Sequence, residues 1–557
     1  MNDGDGRDAN DRRLPGEVDL VLGSMRRHRS SAGLRPGGGI VRAEVVSVHS
    51  RTAKRTSGFS RAPLRIATAV TCLAVVGLTG CTSGNGKSST TSSAVTATHP
   101  TPSGPAAQLT ALTGGSGPFM GEATPPNLQQ IGYVQHEFAA AGTATAYKDV
   151  GSLTPDGRWT FVPDTRAPYR TRVLVRAPAK ASAFSGTVIV EWLNVSGGVD
   201  ADPEWTSLSE EIVRAGDAWV GVSAQRIGVE GGPVLVSVPG VPGSQDAGKG
   251  LKAIDPARYG SLSHPGDGYS FDIFTQVARA VGSGAGLSGL RPKSLIAAGE
   301  SQSAFALVTY FNGVQPLTQT FDGFFVHSRG ASGLPLVAPG KDADIAGAIT
   351  GSPTIFRTDQ KTPILDIQTE TDVGSILNSY AARQPDSNHF RLWEVVGTAH
   401  ADAHLIGSSA QYIDCGVPIN NGPMHIVAKA ALRALTNWLT TGTAPVTAPR
   451  IEVTPGATPQ IVRNADGIAL GGIRTPPTDV PVATLSGAPG PNPSTICLLL
   501  GSTKPFSAAR LAQLYPSRAK YLQLYQTDVA ATIKAGFALP QDRAALLAFA
   551  DPSVIPA

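Results

Sequence analysis

The chain has 557 residues, 41% of them hydrophobic and 16% charged, which is enough apolar material for a large core and for more than one domain. Its 63 glycines and 43 prolines predict long ordered loops, and the absence of a Gly-X-Y period excludes a fibrous repeat. The formal charge of +4 comes from the leader: residues 1–80 hold 13 Lys/Arg against 7 Asp/Glu, leaving 33 against 35 in the rest, so no basic surface for nucleic acid is expected.

Residues 1–60 are polar, arginine-rich and aperiodic. In 61–80, RAPLRIATAVTCLAVVGLTG, Arg61 and Arg65 precede an apolar stretch from Ile66 to Leu78. These thirteen residues are too short to span a bilayer comfortably, so the segment reads as a signal peptide and not as a permanent membrane helix. It ends Leu78-Thr79-Gly80-Cys81, which resembles a bacterial lipobox. That pattern predicts an exported protein anchored to the cell membrane through a lipid on Cys81, or a secreted one if the lipobox is not used. Ser, Thr, Gly and Pro dominate 81–114, which reads as a flexible tether that cannot bury enough apolar surface to order itself.

A catalytic body is expected over 115–445. Residues 131–147 are mixed polar and apolar and predict an early antiparallel strand and turn; 169–177, YRTRVLVRA, alternate and predict a strand with one wet face. Apolar runs at 186–193, 217–223, 294–298, 321–327, 363–368 and 390–396 predict further strands. Helical patterns fall between them at 208–215 and 271–281, directly after residue 303, and at 425–440. Alternating strands and helices imply an α/β fold with a mainly parallel sheet covered on both faces, and ligands in such folds sit beyond the carboxyl ends of the strands. Residues 446–557, with Pro/Gly-rich turns and then helix candidates at 506–514, 517–533 and 541–549, predict a C-terminal extension packed on the core.

The strand at 294–298 runs directly into Gly299-Glu300-Ser301-Gln302-Ser303 and an apolar helix. This is the setting of the G-x-S-x-G nucleophile elbow, with Ser303 in place of the second glycine. Ser301 is therefore the candidate nucleophile; its alternative role is a helix cap. The acid and the histidine should follow in that order. Asp372 and Glu370 both lie just past the strand at 363–368, and either could be the acid, Asp372 being favoured because it lies deeper in the loop. His400 follows the strand at 390–396 and is the candidate base, with His404 as its rival. His400 and His404 could instead bind a metal, but no H-E-x-x-H is present, and neither metal nor cofactor is expected. His327 and Arg329, at another strand end, and Trp192, Trp205 and Phe311 are candidate pocket residues.

The segments TVIVEWLNVSGG (187–198), DAWVGVSAQ (217–225), AAGESQS (297–303), TETDV (369–373), WEVVGTAHAD (393–402), DGIALGGIRTPPTDVPVATLSG (466–487) and TKPFSAARLAQLYPSRAKYL (503–522) together resemble a bacterial family of alpha/beta hydrolase domain proteins, over about 115–550. In that family Gly-Glu-Ser-Gln-Ser looks like the normal form of the elbow. The resemblance implies the α/β-hydrolase fold and a Ser–acid–His hydrolase, and names no substrate.

On this reading Ser301 attacks an ester carbonyl, His400 takes its proton, and an acyl-enzyme forms. The oxyanion donors are expected to be Gln302 N–H and an N–H from Val195, Ser196, Gly197 or Gly198. The substrate would be a small-molecule or polymer-borne ester, and no obligate protein partner is evident. Rivals are an amidase or peptidase with the same triad, a metallohydrolase, and a non-catalytic surface binding protein on the same fold. With Cys72 in the leader and Cys81 assigned to lipid, Cys415 and Cys497 remain; an exported location permits a disulfide between them, and two free thiols are the alternative.

Overall fold

The computed structural model describes residues 103–121, 126–238, 240–454, 456 and 459–556. The leader and residues 81–102 of the tether, Cys81 included, lie outside the described residues, and the expected tether ends early, because 108–111 pair with the main sheet and not with solvent.

One nine-stranded sheet organises the chain. Its first three strands are β1 (Gln108–Ala111), β2 (Tyr133–Asp149) and β3 (Phe161–Pro178). Then come β4 (Thr187–Trp192), β5 (Ala218–Val222), β6 (Ser294–Glu300), β7 (Gly323–His327), β8 (Ile364–Thr369) and β9 (Phe390–Val395). The strand order is β1-β2-β3-β5-β4-β6-β7-β8-β9. β1, β2, β3 and β5 pair antiparallel, and from β5 to β9 every pairing is parallel. This is the mainly parallel α/β-hydrolase sheet. Of the strand and turn expected over 131–147, the strand runs from Tyr133, and its pairing with β3 shifts register between Thr145 and Tyr147.

Both faces are covered because the strands are apolar on both sides. Val188, Val190, Ala297 and Val326 pack with helices α2 (Ser270–Gly282) and α3 (Gln302–Thr309). Ile189, Ile296, Phe325 and Leu365 pack on the other face with α1 (Pro203–Ala215) and α4 (Met424–Thr441). Trp192, Trp205 and Phe311 are at most 3% exposed and belong to these two layers, so they are core and not pocket walls.

The wet face expected for 169–177 is absent. Arg172 and Arg176 alternate along β3 as polar residues would, yet both are buried. Arg172 pairs with Asp200 at 2.7 Å, and Arg176 pairs with Asp202 at 2.6 Å. Their partners come from the segment after β4, invisible to a local pattern. The two pairs fasten that segment against β3, and Asp202 stands at the start of α1.

The C-terminal extension is built from a strand pair, Ala483–Ser486 with Ser502–Pro505, and helices α5 (Ala508–Leu514), α6 (Arg518–Lys534) and α7 (Arg543–Leu547). Tyr521, Tyr525 and Val529 form a small core with Ile426 of α4. Lys429 of α4, also buried, reaches Asp542 at 3.1 Å. Cys415 and Cys497 are disulfide-bonded, closing 82 residues of chain.

Removing one member of a buried pair leaves the other charge without its partner, at a cost of about 3–5 kcal/mol. Arg172→Met should therefore lower the unfolding free energy by that amount in chemical denaturation. A loss below 1 kcal/mol would show that the pair does not fasten the segment.

Candidate active site

The parallel register aligns the strand ends. Glu300 stands opposite His327 across β6 and β7, and Thr369 stands opposite Val395 across β8 and β9. The chain segments that leave β6, β8 and β9 therefore emerge along one edge, which is where Ser301, Asp372 and His400 sit.

Ser301 caps β6 at φ 60° and ψ −121°, a conformation that residues with a side chain seldom adopt. Its N–H donates to His327 O at 3.0 Å, which fixes the turn to β7. A Cβ added at Gly299 would stand 2.9 Å from Ser303 Cβ, so the first glycine of the elbow is sterically required. Ser303 is fully buried and fits in the second position.

His400 Nε2 lies 2.7 Å from Ser301 Oγ, and His400 Nδ1 lies 2.7 Å from Asp372 Oδ1. Asp372 is itself held: Thr369 N–H donates to its Oδ2 at 2.6 Å, and Asp372 N–H donates to Thr369 Oγ1 at 3.3 Å, a reciprocal cap on the short helix Glu370–Gly374. Glu370 points elsewhere. Its Oε2 accepts from Gly397 N–H at 2.8 Å, and its Oε1 accepts from Gly487 N–H at 2.9 Å and pairs with Arg463 at 2.6 Å. Glu370 is thus not the acid at His400; it ties the histidine loop to the C-terminal extension. Ala401 N–H donates to Leu499 O at 3.1 Å, a second tie.

Burial works against a charged His400, but the nearby Glu300 and Asp372 outweigh it and hold its pKa above the ordinary histidine value. His404 does not join the site. It stacks on His425 with ring centroids 3.7 Å apart, and its Nε2 faces Thr206 O at 3.3 Å. His400 and His404 therefore do not converge, and among the described residues no group of three or more His, Cys, Asp or Glu is arranged to hold a metal.

The loop after β4 lies against the elbow. Asn194 Nδ2 donates to Glu300 O at 3.2 Å, and Val195 N–H donates to Gln302 Oε1 at 3.1 Å. Three of the four loop N–H groups considered as oxyanion donors are engaged: Val195 by Gln302, Ser196 by Asn194 Oδ1 at 2.8 Å, and Gly198 by Val195 O at 2.9 Å. Ser196 and Gly198 spend their N–H groups on the loop's own folding and do not present them to the elbow. Gly197 N–H makes no hydrogen bond to the described residues, and a Cβ there would meet nothing within 4 Å. Gln302 is the first residue of α3, where a helix leaves its N–H without an internal acceptor.

Beneath these groups lies a buried layer, in which His327 and Arg329 are the residues the sequence singled out and Glu191 and Glu204 are not. Glu191 of β4 accepts from Glu204 N–H at 3.0 Å, Trp205 N–H at 3.2 Å and Trp219 Nε1 at 2.7 Å, capping α1 from below. His327 Nδ1 lies 3.4 Å from Glu204 Oε2, and burial lowers its pKa to about 4. His327 and Arg329 are thus buried beneath the edge, Arg329 bonding Thr354 O and Ala382 O at 3.1 Å each. The available signal was a charge inside an apolar strand, Glu191 in TVIVEW.

A serine, a histidine and an aspartate thus stand in line at the carboxyl edge of the sheet. The chain belongs to the family described as Alpha/beta hydrolase domain, which matches residues 99–548. A search of curated proteins returns no match. Among solved structures, a putative dienelactone hydrolase from Klebsiella pneumoniae is similar at 10% identity, covering 54% of this chain and 99% of that one, with a TM-score of 0.28. An esterase from Rhizomucor miehei matches at 11% identity, covering 54% and 86%, with a TM-score of 0.29. Carboxyl esterase 2 from Tuber melanosporum matches at 12% identity, covering 52% and 88%, with a TM-score of 0.27.

Asp372→Asn should leave the fold intact and lower kcat by about 10⁴-fold, because an amide cannot hold the imidazole in the required tautomer. Glu370→Gln should act mainly on stability, by about 1.5–3 kcal/mol for bonds to a charged group, with kcat reduced less than tenfold. Steady-state kinetics and denaturation of both variants check this; the reverse ranking in kcat would make Glu370 the acid.

Proposed function

We propose that the protein is a serine hydrolase that cleaves a carboxylic ester through an acyl-enzyme. The supporting observation is the pair of 2.7 Å contacts that link Ser301 Oγ, His400 and Asp372. Ser301 Oγ bonds to the ester carbon as its proton passes to His400 Nε2, and the carbonyl electron pair moves onto oxygen. The alkoxide leaves with the proton from Nε2. Water, deprotonated by the same nitrogen, then releases the acid and restores Ser301.

The oxyanion forms beside the N–H of Gln302. The second donor comes from the loop after β4, where Val195 N–H points at the Gln302 side chain and Gly197 N–H makes no hydrogen bond to the described residues. One such donor lowers the barrier by about 3 kcal/mol. His400 must be neutral to accept the proton, and its pKa is raised. Activity should therefore climb with pH only above the ordinary histidine value, whereas a rise completed below it would place another group as the base.

The reading also places the protein outside the cytoplasm, anchored through Cys81. Its support is the Leu78-Thr79-Gly80-Cys81 sequence and the Ser/Thr-rich stretch after it.

Turnover of p-nitrophenyl esters of increasing acyl length should fall at least 10⁴-fold in Ser301→Ala; equal activity in the two proteins would remove Ser301 as the nucleophile. In a bacterial host, Cys81→Ala should abolish incorporation of an alkynyl fatty acid and move the protein from membrane to soluble fraction. Unchanged incorporation would refute the anchor.

A further inference from the structure

Glu300 stands between Gly299 and Ser301, and the reaction as drawn gives its side chain no part. It is 4% exposed. Buried polar groups in folded proteins are normally hydrogen-bonded, yet Glu300 Oε1 has no hydrogen-bond partner among the described residues. Its nearest opposite is His400: Oε1 lies 3.5 Å from Nε2, the same nitrogen that contacts Ser301 Oγ. That distance is too long for a good hydrogen bond but short enough for strong electrostatic coupling in a buried site. The backbone of Glu300 is fixed on both sides, by Asn194 Nδ2 on its carbonyl and by the pairing of β6 with β7. The carboxyl is therefore held beside the imidazole by the strand that also presents the nucleophile.

We propose that Glu300 is a catalytic residue of this centre: a second carboxyl, facing the nitrogen opposite the one Asp372 holds, that stabilises the imidazolium formed as Ser301 bonds to the acyl carbon. The proposal rests on the Ser301–His400 reading above. Asp372 orients the ring from Nδ1 and favours its protonation there. Glu300 acts where the travelling proton resides, on Nε2, between its release by Ser301 Oγ and its delivery to the leaving oxygen. No net proton need be lost to Glu300 for this; the proton count of the cycle is unchanged.

The charged groups that act on Glu300 are Glu191 on β4, Glu204 on α1, Asp372 after β8 and His400 after β9, and His327 stands opposite it in the register of β7. Burial pushes the Glu300 carboxyl up to about 8, with His400 pulling it down and Glu204, Asp372 and Glu191 pushing it further up. Glu300 and His400 each shift the other's ionisation, so a rise in two steps is expected. Without a carboxyl at position 300, one attraction that raises the His400 pKa is gone and a single step remains at lower pH.

The test is the pH dependence of kcat/KM and kcat on p-nitrophenyl acetate for the wild type and Glu300→Gln, alongside fluorophosphonate labelling of the wild type at Ser301. Gln keeps the size of the side chain and a carbonyl oxygen. The wild type should rise through two ionisations. The variant should rise through one, at lower pH, with plateau kcat reduced roughly tenfold. Superimposable profiles in a wild type that labels at Ser301 would overturn the role of Glu300 and leave the serine mechanism standing. A wild type that does not label would overturn both. If Glu300→Gln does not fold, the wild-type profile alone decides: two ionisations support the proposal and one refutes it.

Discussion

The backbone of Ser301, at φ 60° and ψ −121°, is the constraint on which the rest of the site depends. Holding a side-chain-bearing residue there costs of order 1–3 kcal/mol. The surroundings over-determine it: β6 is buried between β4 and β7, His327 O takes the Ser301 N–H, and α3 begins at the next residue. Nothing at position 299 larger than glycine fits against Ser303. The strained turn lifts Oγ off the sheet edge toward the loop that follows β9, so that one hydroxyl meets one imidazole nitrogen.

The other elements brace that meeting. Asp372 fixes the ring from behind and is itself fixed by Thr369. Glu370, two residues before it, spends its carboxylate on Gly397, Gly487 and Arg463, joining the histidine loop to the extension. Residues 446–557 thus contribute to the site by holding the loop that carries His400, and the Cys415–Cys497 disulfide fastens the same two regions covalently. On the far side, the ion pairs of Arg172 and Arg176 hold the segment that carries Asn194 and Val195.

Much of this was legible because the informative signals are local. Apolar runs of strand length, the Gly-Glu-Ser-Gln-Ser turn and the order of acid then histidine all lie within short windows, as do the helices at 425–440 and 506–549. What was not legible depends on direction or on distant partners. Glu370 and Asp372 are chemically similar and two residues apart; only the cap with Thr369 decides which faces inward. Arg172 and Arg176 mimic a wet strand face because their acids lie about thirty residues downstream. The course of each N–H in the loop 194–198 is set by packing against Gln302 and Asn194, which a list of residues does not encode. The wall assignments of Trp192, Trp205 and Phe311 failed for the commonest reason, that large aromatics are mostly core.

The most direct test is to treat the full chain with a fluorophosphonate and locate the adduct by peptide mass spectrometry. One phosphonyl group per chain is expected, on Ser301, formed at least about a hundredfold more slowly in His400→Ala. No adduct, or an adduct that persists on another residue in Ser301→Ala, would contradict it.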